Sequence, residues 1–175
     1  MIQQAIASIK DRLELFQSNK PNPAAIPSGV VALDGLMNGG FCAGKLYVVV
    51  GPPEVGKTAL TISSIVHLLW KEEKKLQIGI VSTSSTPENW VERILANLCN
   101  IPLADICGGN LTSSQIQAVQ EALAADNWSK LALHCPGMVA EDDIERIITR
   151  LVTETKAGII FIDDFEKIAR RNSAD

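Results

Sequence analysis

The sequence predicts one α/β domain built on a mostly parallel β-sheet with helices on both faces. Two observations predict this fold class: short apolar segments alternate with helical segments from residue 28 onward, and a glycine-rich motif joins one apolar segment to the next helix. With 175 residues, 46% hydrophobic and 21% charged, the chain has the size and composition of a globular domain. A net charge of −4 excludes bulk electrostatic attraction to nucleic acid or an anionic membrane surface.

Residues 1–18 are expected to form an amphipathic helix. Apolar side chains recur every three or four residues from Ile2 to Phe16, which places them on one stripe of a helix. The segment 19–27 contains three prolines and is expected to be a stiff linker, because proline lacks the N–H that a helix needs. Two interpretations of the apolar stripe stand side by side: it folds back onto its own domain, or it docks on a neighbouring subunit.

The predicted domain, residues 28–175, opens with a short helix over 31–37 that a pair of glycines ends. Residues 46–50 are all apolar and mostly β-branched, and this pattern predicts a strand that is buried on both faces. A helix is expected from residue 57 to residue 70. These three elements begin the alternation on which the fold class depends.

Polar residues mark the starts of later helices. Thr86 is expected to cap one helix, with Pro87 in its first turn, and Thr112 is expected to cap another with Gln115 in a capping box. Acidic residues from Glu141 suit the positive end of a third helix. The predicted strands are 77–82, 131–134 and 159–162, and the predicted helices run from 86 to near 98, from 112, and from 141 to near 156.

Cysteine spacing and hydropathy bear on the compartment. The four cysteines lie far apart and form no Cys-x-x-Cys pair, and the sequence has only two histidines that could complete a metal site. This pattern favours reduced thiols over a zinc site. The first residues lack the pattern of a signal peptide, and no apolar run approaches the roughly 20 residues that span a bilayer. We therefore expect a cytoplasmic protein with no membrane association.

The strongest chemical signal is a glycine-rich motif between the apolar run at 46–50 and the helix expected from residue 57. In a loop of this pattern, Gly-x4-Gly-Lys-Ser/Thr, backbone N–H groups converge on phosphate oxygens at the start of a helix. The motif predicts a nucleoside triphosphate site in which Lys57 reaches the β and γ phosphates and Thr58 holds Mg²⁺. Its residues are Gly51, Pro52, Pro53, Glu54, Val55, Gly56, Lys57 and Thr58.

A magnesium ion at Thr58 needs a carboxylate nearby, and an apolar strand predicted at 159–162 ends directly before Asp163. An apolar run followed by aspartate is a weak signal alone, but the P-loop motif upstream strengthens it. Asp163 is therefore the second predicted metal-site residue. The sequence pattern leaves Asp164, the next residue, open to a surface role or a catalytic role.

Further motifs lie on both sides of the P-loop in a definite order. Upstream are Ile-Pro-Ser-Gly at 26–29, Ala-Leu-Asp at 32–34 and the glycine pair at 39–40; downstream are the segments 81–82, 88–96, 109–112 and 136–137. This order resembles the ATPase domain of DnaB-type replicative helicases. The resemblance implies a RecA-like P-loop NTPase that uses ATP and Mg²⁺, hydrolyses ATP at the subunit interfaces of a hexamer, and moves on single-stranded DNA. The opening helix resembles the family's linker helix, which packs against the adjacent subunit.

Two departures from that family bear on activity. The family's catalytic glutamate, which polarises the attacking water, is matched here by Ser84, and loss of a general base slows a reaction about 10²–10⁴-fold. Asp164 is the candidate replacement, so the predicted catalytic residues are Lys57 and Asp164. The chain also ends soon after Asp163, before the family's γ-phosphate sensor, DNA-binding loops and arginine finger. The ATPase domain is therefore expected to be truncated and its sheet incomplete.

A second function, from another class, fits the same residues. It is a nucleotide-binding regulatory or assembly module with little or no hydrolysis. Thr86-Pro87 after the second predicted strand also resembles RecA-like clock and recombination-mediator ATPases. Ser84 discriminates between the two functions, because Ser84→Glu should raise ATPase activity strongly if the lost base is the only defect.

Overall fold

A computed structural model describes residues 2–17, 22, 24–72, 76–137 and 139–168. The chain divides into two compact units, 1–51 and 52–175. Pro21 and Pro23, two of the prolines in the predicted linker, lie outside the described residues. No helix among the described residues is long and apolar enough to cross a membrane.

The described residues of the first unit form two helices and one isolated β-bridge. Helix α1 spans Ile2–Gln17, and the four apolar side chains of its stripe that the structure describes are exposed. Helix α2 spans Val31–Leu36 and is followed by the glycine pair at 39–40, whose φ angles of +110° and +126° suit glycine alone. The bridge joins Ile26 to Phe41 by two backbone hydrogen bonds of 2.7 and 2.8 Å.

The prediction of a buried strand at 46–50 is wrong for this structure. The segment forms no strand, and Leu46, Val48 and Val50 are 89%, 72% and 88% exposed. A continuous apolar run becomes a buried strand only where neighbouring strands pair with its backbone and other elements cover its side chains. The described residues of the first unit form a single isolated bridge and no sheet, so they offer residues 46–50 no neighbouring strand to pair with.

The second unit alternates helices and strands, as predicted. Its sequence begins with α3 and ends with β3, and the structure adds one helix, α5, that the sequence analysis did not predict. The elements are α3 (Lys57–Trp70), β1 (Gln77–Ser82), α4 (Pro87–Cys99), α5 (Leu103–Gly108), α6 (Ser113–Leu123), β2 (Leu131–His134), α7 (Glu141–Thr153) and β3 (Ala157–Asp163), with 3-10 turns at Asp126–Lys130 and Phe165–Lys167.

Within the described ranges, the sheet has three parallel strands in the order β2-β1-β3, so β1 lies in the centre. Ile78, Ile80 and Val81 of β1 are fully buried although their side chains alternate between the two faces, which is typical of a central parallel strand. Val81 packs in a cluster with Ile144 and Leu151 of α7. In the register of β1 and β3, Ser82 lies beside Asp163, so the two strands end next to each other at the same edge of the sheet.

The predicted caps of two helices are present. The Thr86 side chain accepts a hydrogen bond from the backbone N–H of Asn89, with Pro87 at the first helical position. Thr112 and Gln115 form the capping box at the start of α6. Helix α7 ends at Thr153, a few residues before the predicted end. These local signals set the ends of the helices that surround the sheet.

Candidate functional site

The loop that precedes α3 has a backbone suited to an anion. Gly56 adopts φ +102° and is the N-cap residue of α3, where no side chain caps the helix. A Cβ at Gly56 would meet nothing within 4 Å, so glycine is favoured there by backbone conformation and not by space. Glu54 also has a positive φ, of +64°. The first N–H groups of α3, which lack a side-chain cap, form the kind of helix N-terminus that binds phosphate.

Lys57 is the first residue of α3, and its side chain turns back over the loop. Its Nζ donates a hydrogen bond to the backbone carbonyl of Pro52 at 3.1 Å. The ammonium group therefore lies beside the loop, and its positive charge would attract a phosphate bound by the loop amides. Residues 52–56 of the loop are exposed.

Thr58 and Asp163 bring the start of α3 to the end of β3. The Thr58 hydroxyl lies 3.2 Å from Oδ1 and 3.3 Å from Oδ2 of Asp163. Asp163 is 9% exposed, so this carboxylate is held at a nearly buried strand end. The two residues that the sequence analysis assigned to a metal are thus in direct contact.

The electrostatic environment of Asp163 favours a cation. Burial raises the pKa of Asp163 above its ordinary value, and the negative charge of Asp164 raises it further. The hydrogen bond from Thr58 and the positive charge of Arg93 lower the pKa in part. Because the net direction is upward, the charged form lacks full compensation, and a divalent cation at this point would provide it.

The oxygen atoms of Thr58 and Asp163 suit magnesium. Two neighbouring ligands of an octahedral ion, each at about 2.1 Å from it, lie about 3 Å apart. The observed separations of 3.2 and 3.3 Å are close to that spacing. Among the described residues, no group of three or more His, Cys, Asp or Glu side chains could hold a metal ion. A cation at this site would therefore complete its shell with water and phosphate oxygens, as Mg²⁺ does in phosphate-binding sites.

A second cluster lies at the same edge of the sheet. The Ser84 hydroxyl donates a hydrogen bond to Oδ2 of Asp164, and Thr83 Oγ1 donates one of 3.0 Å to the backbone carbonyl of Asp164. The ammonium of Lys167 lies 3.3 Å from the same Oδ2. Asp164 therefore has hydrogen-bond partners in the segment that follows β1 as well as in its own 3-10 turn.

A family model described as DnaB-like helicase C terminal domain matches residues 25–175. The chain belongs to this family. The match spans every element from α2 to β3 and includes the loop before α3. It is consistent with the resemblance inferred from the order of the motifs.

Curated relatives of this DnaB-like domain carry helicase names. The chain is 28% identical over 166 residues to a probable plasmid replicative DNA helicase of Chlamydia trachomatis, covering 93% of the chain and 36% of that protein. It is 27% identical over 139 residues to the replicative DNA helicase DnaB of Helicobacter pylori, covering 79% of the chain and 28% of that protein. The DnaB-like domain thus spans only 28–36% of the length of these relatives.

The structure of this DnaB-like domain brings together some of the predicted site residues and adds others. Thr58 contacts Asp163, and Lys57 contacts Pro52, whereas Gly51 is the last residue of the first unit. Sequence reasoning named Ser84 and Asp164 separately and missed their contact. The signal that could have revealed it is the register of β1 and β3, since both residues follow strand ends that lie side by side.

Proposed function

We propose that this DnaB-like domain binds ATP with Mg²⁺ at the loop 51–58. The observation that carries the proposal is the contact between Thr58 and Asp163, next to a helix N-terminus that no side chain caps. A hydroxyl and a carboxylate that meet beside an anion-binding loop are the groups that a magnesium–triphosphate complex requires. Neither group alone would distinguish this site from an ordinary turn.

The residues of the loop have different proposed roles. The backbone N–H groups of Glu54, Val55 and Gly56 bind the phosphate oxygens, whereas Pro52 and Pro53 have no N–H to donate. Lys57 moves from the Pro52 carbonyl to the β and γ phosphates. Thr58 and Asp163 hold Mg²⁺, which neutralises charge on the phosphates when it is bound. Burial raises the pKa of Asp163, and a bound cation would offset this cost of its negative charge, so metal and nucleotide are expected to bind together.

We further propose that the complete protein couples ATP hydrolysis to DNA unwinding, with Lys57 and Asp164 as the catalytic residues of this domain. Membership in the DnaB-like family and the helicase names of its relatives support this proposal. The same comparisons do not favour the alternative of a regulatory module that binds nucleotide without hydrolysis. Single-stranded DNA and a hexameric assembly are the partners that a replicative helicase implies.

The proposed organisation has a linker helix at 1–18, a proline-rich linker at 19–27 and a RecA-like domain at 28–175. The exposed stripe of α1, which includes Ile2 at 76% and Leu13 at 54% exposure, supports docking of the helix on a neighbouring subunit. Deletion of residues 1–20 should shift the oligomer towards monomer in light scattering. An unchanged mass would favour the helix folding back on its own domain.

Titration of the chain with a fluorescent ATP analogue, with Mg²⁺ and with EDTA, tests the ATP site. Hydrogen bonds to charged groups contribute about 1.5–3 kcal/mol, so Lys57→Ala should weaken binding about 10–100-fold. Lys71→Ala is the matched control, because it removes the same side chain at the exposed opposite end of α3. Equal affinities of the two variants would remove the assignment of the loop.

A further inference from the structure

We propose that Asp164 is the carboxylate that accepts a proton from the water attacking ATP, and that Ser84 is a positioning residue for it. This inference rests on the proposed ATP site and adds a base and its support to that site. Four features of the described residues support it: the strand register, the hydrogen bonds to Asp164, the backbone conformation of Asp164, and the oxygen of its carboxylate that accepts no hydrogen bond from the described residues.

The register of the sheet determines which residues meet. Ser82 and Asp163 are partners in the parallel strands β1 and β3, so the residues that follow them leave the sheet next to each other. Thr83 Oγ1 then donates to the backbone carbonyl of Asp164 at 3.0 Å, and Ser84 donates to its Oδ2. One bond holds the main chain and the other holds the side chain, so both the place and the direction of the carboxylate are set.

The backbone of Asp164 lies in the left-handed region. Asp164 adopts φ +58° and ψ +42°, a left-handed conformation that aspartate adopts more readily than most residues with a Cβ. It is the N-cap residue of the turn Phe165–Lys167, a position where aspartate commonly bonds the N–H groups of its own turn. Its side chain makes no such capping bond, and its Oδ2 instead accepts hydrogen bonds from Ser84 and from Lys167 of the same turn.

One oxygen of the carboxylate is left for a ligand. Ser84 and Lys167 both reach Oδ2, and within the described part of the chain no hydrogen bond reaches Oδ1. The Asp164 side chain is 24% exposed, so water has access to it. The neighbouring residue Asp163 contacts Thr58, and Asp164 therefore adjoins the point where the triphosphate and its magnesium ion are proposed to bind.

In the proposed hydrolysis of ATP, Asp164 is the general base. As the water oxygen forms a bond to the γ phosphorus, one water proton passes to the free Oδ1 of Asp164. The bond between the γ phosphorus and the bridging oxygen breaks, and its electron pair leaves on ADP. Asp164 then returns the proton to solvent, so that it is again a carboxylate for the next cycle.

Single-turnover ATP hydrolysis by the full chain, together with binding of the fluorescent ATP analogue, tests the role of Asp164. Asp164→Asn keeps the shape of the side chain but removes the base, so it should slow hydrolysis about 10²–10⁴-fold while analogue affinity changes less than about threefold. Glu145→Gln, which removes an exposed carboxylate on α7, is the control and should hydrolyse ATP at the unmodified rate. Hydrolysis by Asp164→Asn within threefold of the unmodified chain would overturn the proposal, as would binding of the analogue with no hydrolysis by the unmodified chain. Failure of the unmodified chain to bind the analogue would instead overturn the proposed ATP site.

Ser84 is tested by variants that remove or keep its hydroxyl. Ser84→Ala should lower kcat about tenfold or more with KM unchanged, and Ser84→Thr should restore kcat to within about threefold, because threonine keeps the donor. A rise in KM alone, or no rescue by threonine, would contradict a positioning role.

A second measurement needs neither nucleotide nor turnover. In a double-mutant cycle of Ser84→Ala and Asp164→Ala, urea unfolding of the chain should show a coupling of at least about threefold in the unfolding equilibrium constant. Additive effects would mean that the two side chains do not interact in solution, and would overturn the proposed support by Ser84.

Discussion

The hydroxyl of Thr58 lies 3.2 Å from the carboxylate of Asp163, although 105 residues separate them along the chain. The contact joins the first turn of α3 to the last residue of β3, so it forms only when the helix and the strand have both taken their places. Short-range sequence preferences cannot produce it. Its loss should therefore affect metal and nucleotide binding more than the formation of either element.

Replacing Thr58 tests the role of its hydroxyl. Thr58→Val keeps the β-branched shape but removes the oxygen, so the added affinity that Mg²⁺ gives for the ATP analogue should be lost, by about tenfold or more. Thr58→Ser retains the oxygen and should keep most of the magnesium effect. Equal magnesium dependence of the valine variant and the unmodified chain would show that the metal is held elsewhere.

Asp163→Asn should stabilise the metal-free chain at neutral pH. The raised pKa of Asp163 means that the folded chain holds its proton more tightly than the unfolded chain, so stability falls as pH rises from the ordinary value through the raised one. Above the raised pKa this loss is complete, and asparagine avoids it while still accepting a hydrogen bond from Thr58. We expect a gain of about 1 kcal/mol in the free energy of unfolding.

Urea unfolding in EDTA at pH 7 and at pH 4 measures this effect. The gain from Asp163→Asn should be larger at pH 7 than at pH 4, because the raised pKa leaves less of the folded chain's Asp163 carboxyl in its charged form at the lower pH. A variant that is less stable than the unmodified chain at pH 7 would mean that Asp163 is well compensated without a metal.

Gly40→Ala should open the bridge between Ile26 and Phe41. A Cβ at Gly40 would lie 2.1 Å from the carbonyl oxygen of Ile26, so the backbone must move, and overpacking of this kind costs about 1–3 kcal/mol. Gly44→Ala is the matched control, since Gly44 also has a positive φ but its Cβ would meet nothing within 4 Å. Hydrogen exchange of the Phe41 amide should be at least about tenfold faster in the first variant than in the second. Similar exchange rates would show that strain at positive φ, and not the close approach, is what matters.

Elements with local signals could be predicted from the sequence. The bounds of β1 and β2 and the start of α6 follow from apolar runs and from the pair Thr112–Gln115, and the structure reproduces them. Helix α5 was missed because it is six residues long and its N-cap is Pro102, which offers no capping side chain. The run at 46–50 was misassigned because burial depends on neighbouring elements and not on the run itself.

The candidate site was predictable only in part. The loop pattern pointed to Lys57 and Thr58, and the end of an apolar strand pointed to Asp163, because each signal lies within a few residues. The bond between Ser84 and Asp164 depends on the register of two strands, which no local pattern encodes. The hydrogen bond from Lys57 to the Pro52 carbonyl depends on the conformation of the loop, and the pattern alone does not specify it.

The exposed apolar run at 46–50 should make the chain prone to aggregate in solution. Stretches of five to seven apolar, β-branched residues whose main-chain groups are unpaired tend to stack with copies of themselves into cross-β aggregates. Turbidity should therefore grow with chain concentration, and Val48→Lys, at a side chain that is 72% exposed, should slow it by placing a gatekeeper charge in the stretch. The solubility of this chain would then be limited by one short stretch and not by its net charge.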